Sequence, residues 1–283
     1  MASSSCLVVK LLVLTFLLSL SCSASRSITS GAGNPQEQQQ QLLRYHKGAL
    51  LRGKIAVNLI WYGKFTPSQR AIVADFITSV SDPSGNQQSV GAWWRTVEKY
   101  YHLAGRPNSL SIRLGRQILD EDYSLGKSLS DKHIVQLASR GDHSNSVNVI
   151  LTASDVTVNG FCLNRCGTHG SSSPTYGPQS PPLVPPNNDV GLDGIVMSLS
   201  GLLAGTATNP FGNGYYQGSA EAPLEAASAC PGVYGKGAYP GYAGDLLVDP
   251  TTGASYNAHG ANGRKYLLPA IYDPTTSKCS TLF

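Results

Sequence analysis

The chain is short of charge. Only 13% of its 283 residues are Asp, Glu, Lys or Arg, about half of the ~25% usual for a soluble domain. The 21 basic and 17 acidic residues leave a formal charge of +4, too slight for a dedicated nucleic-acid binder, which carries a basic stripe. Long apolar runs are also missing. The longest, residues 11–20, holds about half of the ~20 residues that a membrane span needs. There is no Asn-x-Ser/Thr acceptor, since Asn209 is followed by Pro210 and Phe211, so the core must be soluble without N-linked sugar. The sequence has no Gly-x-Ser-x-Gly elbow, no His-Glu-x-x-His, no Walker loop and no strand-coupled Gly-x-Gly-x-x-Gly. No repeat of fixed period is visible. What is present is apolar material: 41% hydrophobic residues exclude disorder of the whole chain, and the length suffices for a sizeable core.

Residues 1–25 read as a secretory signal peptide. Lys10 precedes the apolar run, and the small residues 21–25 offer cleavage near Ala24 or Ser25. The mature chain, with 20 basic against 17 acidic residues after Lys10 leaves, carries +3. It is expected to be secreted, with no membrane span. Of six cysteines, Cys6 and Cys22 leave with the signal, and Cys162, Cys166, Cys230 and Cys279 remain. An oxidising compartment favours disulfides, with three possible pairings among four cysteines. Cys230 and Cys279 most simply pair with each other.

Residues 26–43, which include a Gln run, form a flexible leader or propeptide. Beyond them residues 44–283 read as one domain. Residues 54–62 (KIAVNLIWY) place Ile55, Val57, Leu59 and Trp61 on one face of a buried strand. Thr66, Pro67 and Gln69 supply an N-cap, a proline at the first helical position and a capping-box partner. The apolar spacing of Ile72, Val73, Phe76, Ile77 and Val80 then predicts a helix over 67–80. A helix around Trp93, Trp94, Val97, Tyr100 and Tyr101 follows, then a strand over 110–119, a helix capped by Ser130, and a strand over 147–151. This order predicts an α/β fold, a mixed or parallel sheet with flanking helices. Residues 171–188 are a Ser/Pro-rich connection. A last helix, over 193–206, is weakened by Gly201 and Gly205, at about 1 kcal/mol each against Ala. After Asn209, recurring Gly and Tyr predict turns and short strands held by a disulfide.

Few residues carry an obvious chemistry. Cys162, Cys166 and His169 stand close enough to ligate zinc, but in a secreted chain the thiols read better as disulfide partners and His169 as a loop residue. The acid pairs Asp120/Asp122 and Glu221/Glu225 resemble glycosidase carboxylates only in count, since such chemistry depends on spatial separation; they are read as surface acids. Trp61, Trp93 and Trp94 lie in core-periodic segments. Tyr215, Tyr216, Tyr234, Tyr239, Tyr242 and Tyr256 sit among glycines, either lining an open face that stacks on sugar or packing loops onto the sheet.

Five blocks in order, YHKGALLRGKIAVNLIWYGKF (45–65), GFCLNRCGTHG (160–170), YGPQSPPLVPPNNDVGLDG (176–194), LLAGTATNPFGNGYYQG (202–218) and HGANGRKYLLPAIYDP (259–274), resemble the plant phosphate-induced, EXORDIUM-like proteins. The resemblance implies an apoplastic or cell-wall protein linked to cell expansion, brassinosteroid response and nutrient-limited growth, and no established reaction or cofactor. In two places the chain departs from the family pattern. Relatives carry a further Trp- and Cys-containing stretch where GSSSPT alone joins His169 to Tyr176, which leaves Cys162 and Cys166 to pair with each other. Some relatives also carry His-Glu-x-x-x-Glu before Thr-Asn-Pro. Alignment on Thr208, Asn209 and Pro210 puts Gly201, Leu202 and Gly205 there, none able to bind metal. The expectation is a zincin-like scaffold without its metal site: a non-catalytic protein whose partner is an extracellular protein or wall polysaccharide. A wall-acting hydrolase, for instance using Glu221 and Glu225, and a glycan-binding module are the alternatives. The polar cluster expected to form a binding surface is His169, Glu225, Asp245, His259, Asn262 and Arg264.

Overall fold

The computed structural model describes residues 43–82, 86–160, 183–219 and 222–283; Cys162, Cys166, His169 and Glu221 lie outside them. In chain order the elements begin with β1 (Arg44–Tyr45), β2 (Gly53–Tyr62), α1 (Pro67–Val80), α2 (Val90–Leu103), β3 (Leu110–Asp120), β4 (Ser128–Leu129), α3 (Asp131–Ala138), β5 (Ser146–Thr152) and β6 (Thr157–Val158). They continue with α4 (Val190–Thr208), β7 (Tyr215–Tyr216), β8 (Leu247–Val248), β9 (Ser255–Tyr256), β10 (Ala258–His259), β11 (Lys265–Tyr266), β12 (Ile271–Asp273) and β13 (Lys278–Ser280).

The largest sheet has the order β3-β2-β5. All three strands are parallel, so the sheet itself is not mixed; antiparallel pairing occurs in two-stranded ribbons such as β10-β11 and β12-β13 and in isolated bridges. Central β2 is buried from Ile55 to Tyr62, as a strand covered on both faces should be. One polar residue interrupts it. Asn58 donates from Nδ2 to Asn148 Oδ1 at 2.9 Å and accepts from the Arg116 N–H at 2.8 Å. Its side chain occupies the place where a Cβ at Gly115 would lie 2.2 Å from Asn58 Oδ1, and β3 gains one residue against β2 there, between Val57 and Leu59. The bulge therefore satisfies a buried amide.

The helices start where capping chemistry allows. Thr66 Oγ1 accepts from Gln69 N while Gln69 Oε1 accepts from Thr66 N, with Pro67 at the first helical position. Ser130 caps α3, with His133 as its reciprocal partner. α1 buries Ile72, Val73, Phe76, Ile77 and Val80, and α2 buries Trp93, Trp94, Val97, Tyr100 and Tyr101. Each fully buried side chain of this size contributes about 1.5–3 kcal/mol relative to exposure. The β2-to-β3 and β3-to-β5 crossovers run in opposite directions, so right-handed connections set α1 and α2 on one face and α3 on the other.

α4 is longer than the sequence predicts, because Asp189, whose Oδ1 accepts from Leu192 N at 3.0 Å, starts it earlier. At 19 residues it is apolar enough to cross a membrane by length and composition, yet 78% of its apolar window is buried. It packs against α1 and α2 and is the core helix of the fold. The C-terminal region closes over the same core. Trp93 donates from Nε1 to the Pro269 carbonyl at 2.7 Å, and the Tyr100 hydroxyl to the Tyr272 carbonyl at 2.5 Å. A disulfide joins Cys230 to Cys279, beside a small cluster of Leu43, Cys230, Ala270 and Tyr272.

Candidate functional site

In an open parallel sheet, ligands bind beyond the carboxyl ends of the strands, where successive connections leave to opposite faces. Here the chain's own side chains occupy the space beyond the ends of β2 and β3. Asp120, at the end of β3, accepts from Ser124 N at 3.0 Å, from the Ser124 hydroxyl, and from Arg140 Nη1 at 2.5 Å. Burial opposes ionisation of Asp120, but these hydrogen bonds hold its carboxyl below the usual carboxylate range. The Tyr62 hydroxyl donates to the Gly126 carbonyl at 2.6 Å and accepts from Leu125 N at 2.8 Å. Asp120 is thus a buried, ion-paired acid that closes a loop. This corrects the reading of it as a surface acid, which no spacing in the sequence distinguishes.

A dense polar cluster forms where the β10-β11 hairpin meets α1. Asp75 lies on the buried stripe of α1 with Ile72, Phe76 and Ser79. Its Oδ2 is 2.7 Å from the Tyr266 hydroxyl, which also lies 2.9 Å from the Ile72 carbonyl; its Oδ1 accepts from Asn262 Nδ2. Ser79 Oγ donates to the Asp75 carbonyl at 2.6 Å and accepts from Ala261 N at 2.8 Å. The hairpin tip approaches so closely that a Cβ on Gly260 would sit 2.5 Å from Asp75 Oδ2 and 2.8 Å from Tyr266 Cε2. Burial, then the hydrogen bond to Asp75, pushes the Tyr266 hydroxyl well above the usual phenol range, while Arg264 opposes the shift.

A second carboxylate flanks this cluster. Asp193, in the first turn of α4, accepts from Asn187 N at 2.9 Å and Asn187 Nδ2 at 2.6 Å, and Asn187 Nδ2 also reaches the Lys265 carbonyl at 3.1 Å. Burial raises the Asp193 carboxyl above its ordinary value, against the pull of the Asn187 bonds. On the hairpin's outer side Lys265 pairs with Asp249 and lies 4.9 Å over the Tyr256 ring. That lysine, followed by the backbone N–H of Thr251, lowers Asp249 to about 2.

Three of the six expected surface residues meet here. His259, beside Tyr256 with ring centroids 5.1 Å apart, joins Asn262 and Arg264 on the hairpin. The others do not. Glu225 is buried at the far end of α4, accepting from Asn209 Nδ2 at 2.8 Å; it is not a surface acid. Asp245 accepts from the Tyr242 hydroxyl at 2.8 Å on an exposed turn. His169 and Glu221 lie outside the described residues. Tyr215, Tyr234 and Tyr256 are buried and pack loops onto the core. Tyr216 stacks on His46 with ring centroids 3.8 Å apart. Tyr239 and Tyr242 remain on an open turn, their rings 5.2 Å apart. All three tryptophans are buried, as their periodicity implies. Sequence reading missed Asp75 and Asp193; the available signal was an acid on the apolar stripe of an otherwise well-patterned helix.

On α4, Gly201, Leu202 and Gly205 bring no metal ligand, and a Cβ at Gly201 would lie 3.4 Å from Ala227 Cβ. Among the described residues, no three His, Cys, Asp or Glu side chains gather as a metal cluster.

Comparison with known proteins places this architecture. The phosphate-induced protein 1 conserved region matches residues 43–174 and 171–282. The tobacco (Nicotiana tabacum) protein PHOSPHATE-INDUCED 1 is 65% identical over 296 residues, covering 92% of this chain and 94% of its own length. The Arabidopsis thaliana protein EXORDIUM is 60% identical over 315 residues, covering 98% of this chain and 99% of its own, and EXORDIUM-like 1 of the same plant is 55% identical over 289 residues, covering 89% and 94%. No solved structure matches. The conserved region breaks at 171–174, and the 296 aligned positions of the tobacco protein exceed the 92% of 283 residues that this chain supplies, so relatives hold positions without a counterpart here. The break falls in the short connection after His169. With both pieces of the conserved region present and such close relatives over nearly its whole length, the chain belongs to the phosphate-induced protein 1, EXORDIUM-like family.

Proposed function

We propose that this protein is exported to the apoplast or cell wall and acts there without catalysis in plant cell expansion and growth regulation, linked to brassinosteroid and nutrient status. The observation that carries the reading is the pairing of an apolar leader with the Cys230–Cys279 disulfide, because disulfides persist in oxidising compartments and are rare in the cytosol. The EXORDIUM match spans 98% of the chain, so it takes in most of that leader. The name of the tobacco relative supports the link to phosphate, and the family resemblance supports the link to growth.

The non-catalytic part rests on where the acids go. Asp75, Asp120 and Glu225 each hold hydrogen bonds from neighbouring elements, and the α4 positions where the family resemblance implies metal ligands are Gly201, Leu202 and Gly205. On this reading the scaffold is zincin-like in descent with its metal function gone. The test is twofold. A fluorescent fusion of the whole chain should reach the extracellular space, and the same fusion lacking residues 1–25 should stay inside the cell. Purified protein should contain no stoichiometric zinc; hydrolysis of wall polysaccharide or peptide that stops on chelation overturns the proposal.

A further inference from the structure

Tyr239, Pro240, Gly241 and Tyr242 form a tight turn in the C-terminal region. Pro240 fixes φ at the second position and Gly241, at φ 90°, takes the left-handed third, the sequence that a type II turn asks for. Tyr239 and Tyr242 face each other as an antiparallel bridge that exchanges both backbone bonds, Tyr242 N to the Tyr239 carbonyl at 2.8 Å and Tyr239 N to the Tyr242 carbonyl at 3.1 Å. Directly opposed residues send their side chains to the same side, and the two rings stand 5.2 Å apart at an interplanar angle of 38°. The base of the turn is held by bonds from Tyr234 N and Gly235 N to the Ala243 carbonyl and from Asp245 N to the Lys236 carbonyl. Asp245 thereby stays beside the turn, where its Oδ1 accepts from the Tyr242 hydroxyl at 2.8 Å.

Exposure sets this pair apart. Tyr239 is 65% exposed and Tyr242 is half-buried. In the pairs Tyr45–Tyr215, Tyr62–Tyr123 and Tyr100–Tyr215 at least one ring is buried. Tyr123 also donates to a carboxylate, Asp155, at 2.8 Å, but Lys127 lies 4.5 Å over its ring, and a cation there opposes removal of an electron. Its neighbour Tyr62 is buried, with the hydroxyl bonded to the Gly126 carbonyl. Tyr239 and Tyr242 combine an open ring, a second phenol in contact with it and a carboxylate placed to receive a proton.

We propose that Tyr239 and Tyr242 are an oxidative coupling site, joined into one dityrosine within a single chain by a haem peroxidase and hydrogen peroxide. The open Tyr239 ring meets the oxidant and gives up one electron and its hydroxyl proton. Tyr242 returns an electron to Tyr239, which takes a proton from solvent, while the Tyr242 proton leaves through Asp245. A second oxidation of Tyr239 then puts a radical on each ring. The radicals join through carbons ortho to their hydroxyls, forming one C–C bond, and the hydrogens on those carbons move to the phenol oxygens. The protein loses two hydrogens in all, and these reduce the peroxide to two waters. The hydrogen bond to Asp245, followed by burial, holds the Tyr242 hydroxyl above the usual phenol range, so at neutral pH its proton must leave with the electron, which is the step that a bonded carboxylate assists. The inference rests on the export reading for where the oxidant is met, yet its test needs only purified protein, so a failure of export and a failure of coupling are separate results.

The full mature protein is treated with horseradish peroxidase and hydrogen peroxide, with N-acetyltyrosine in a parallel sample to show that the oxidant is active. The monomer should gain dityrosine fluorescence, and its tryptic peptide 237–264 should lose the mass of two hydrogens and yield no fragment from cleavage between Tyr239 and Tyr242. Tyr239→Phe and Tyr242→Phe should each abolish the product. Asp245→Asn, which can still accept from the Tyr242 hydroxyl, should slow coupling about tenfold at neutral pH, less than a positioned base can give because solvent also reaches the ring. The titratable groups that face Tyr242 are Asp245 and Tyr239, so that deficit should shrink as pH rises toward ~10, where phenols ionise unaided. Absence of coupling while N-acetyltyrosine couples overturns the inference, as does a product that survives Tyr239→Phe, a cross-link that joins two copies of the chain, or a rate unchanged in Asp245→Asn.

Discussion

At the scale of single residues, three of the buried acids, Asp120, Asp193 and Asp273, divide into two kinds. Asp120 and Asp273 are buried, and hydrogen bonds from Ser124 and then Arg140 to the first, and from Lys99 and then Thr275 to the second, overcome the effect of burial and hold both carboxyls low. Asp193 is bonded by the neutral Asn187 and the Asp189 backbone rather than by a cation, and there burial prevails and raises its pKa. The consequences for stability have opposite signs. A depressed carboxyl contributes stability that is present above its unfolded value near ~4 and is lost as pH falls through the folded value. Asp193, raised in the fold, contributes stability that is present below ~4 and is lost as pH rises through its folded pKa. Urea unfolding of Asp193→Asn against the parent at pH 4, 5 and 6 isolates that group, since Asn can still accept from Asn187 N. The variant should gain on the parent as pH rises; a difference that is constant or shrinks across this range contradicts the assignment. None of this division was legible in the sequence. An Asp reads the same whether its partner is an arginine twenty residues on or an amide in the preceding loop, and for that reason the sequence makes surface acids of Asp120 and Glu225.

Elements were far more legible, because their signals are local. The α1 boundaries at Pro67 and Val80 follow from Thr66, Pro67 and Gln69 and from an apolar stripe. The β2 and β5 strands follow from short β-rich apolar runs, each broken by one asparagine, Asn58 and Asn148, as suits strands buried on both faces. What the sequence does not show is how one element's cap serves another. Gln69 completes the α1 capping box through Oε1, while its Nε2 donates to Asp189 Oδ2 at 2.9 Å. Asp189 in turn caps α4 through Oδ1. One glutamine therefore couples two helix starts 120 residues apart, and it helps to hold α4 against α1. Loss of either cap alone should cost about 1 kcal/mol. Because the two share a partner, Gln69→Ala and Asp189→Ala should not add: a double-mutant cycle in urea should return a coupling of about 0.5–1 kcal/mol. Strict additivity would show that the two helices start independently.

For the whole molecule, the question is whether the Gly/Tyr-rich C-terminal region is a separate appendage or part of the main fold. Its composition sets it apart, and its strands are only two or three residues long, too short to be stable alone. Its anchors say otherwise. Trp93 and Tyr100 of α2 bond the Pro269 and Tyr272 carbonyls, Lys99 pairs with Asp273 at 2.6 Å, and Tyr266 binds Asp75 on α1. Tyr266, Leu268 and Ile271 belong to the same buried cluster as the β2 strand. The disulfide between Cys230 and Cys279, separated by 49 residues, then acts on the unfolded chain by closing a long loop, worth about 4 kcal/mol in the chain-entropy account. Replacing both cysteines by serine should lower the stability by about that amount while leaving a single transition, with tryptophan fluorescence and far-ultraviolet circular dichroism falling together at a lower urea concentration. The three tryptophans all lie in β2 and α2, so they report the sheet and helix layer, whereas circular dichroism reports the whole chain. If the C-terminal region melted first as a unit, the two signals would part, and its role as a wall of the core would have to be given up.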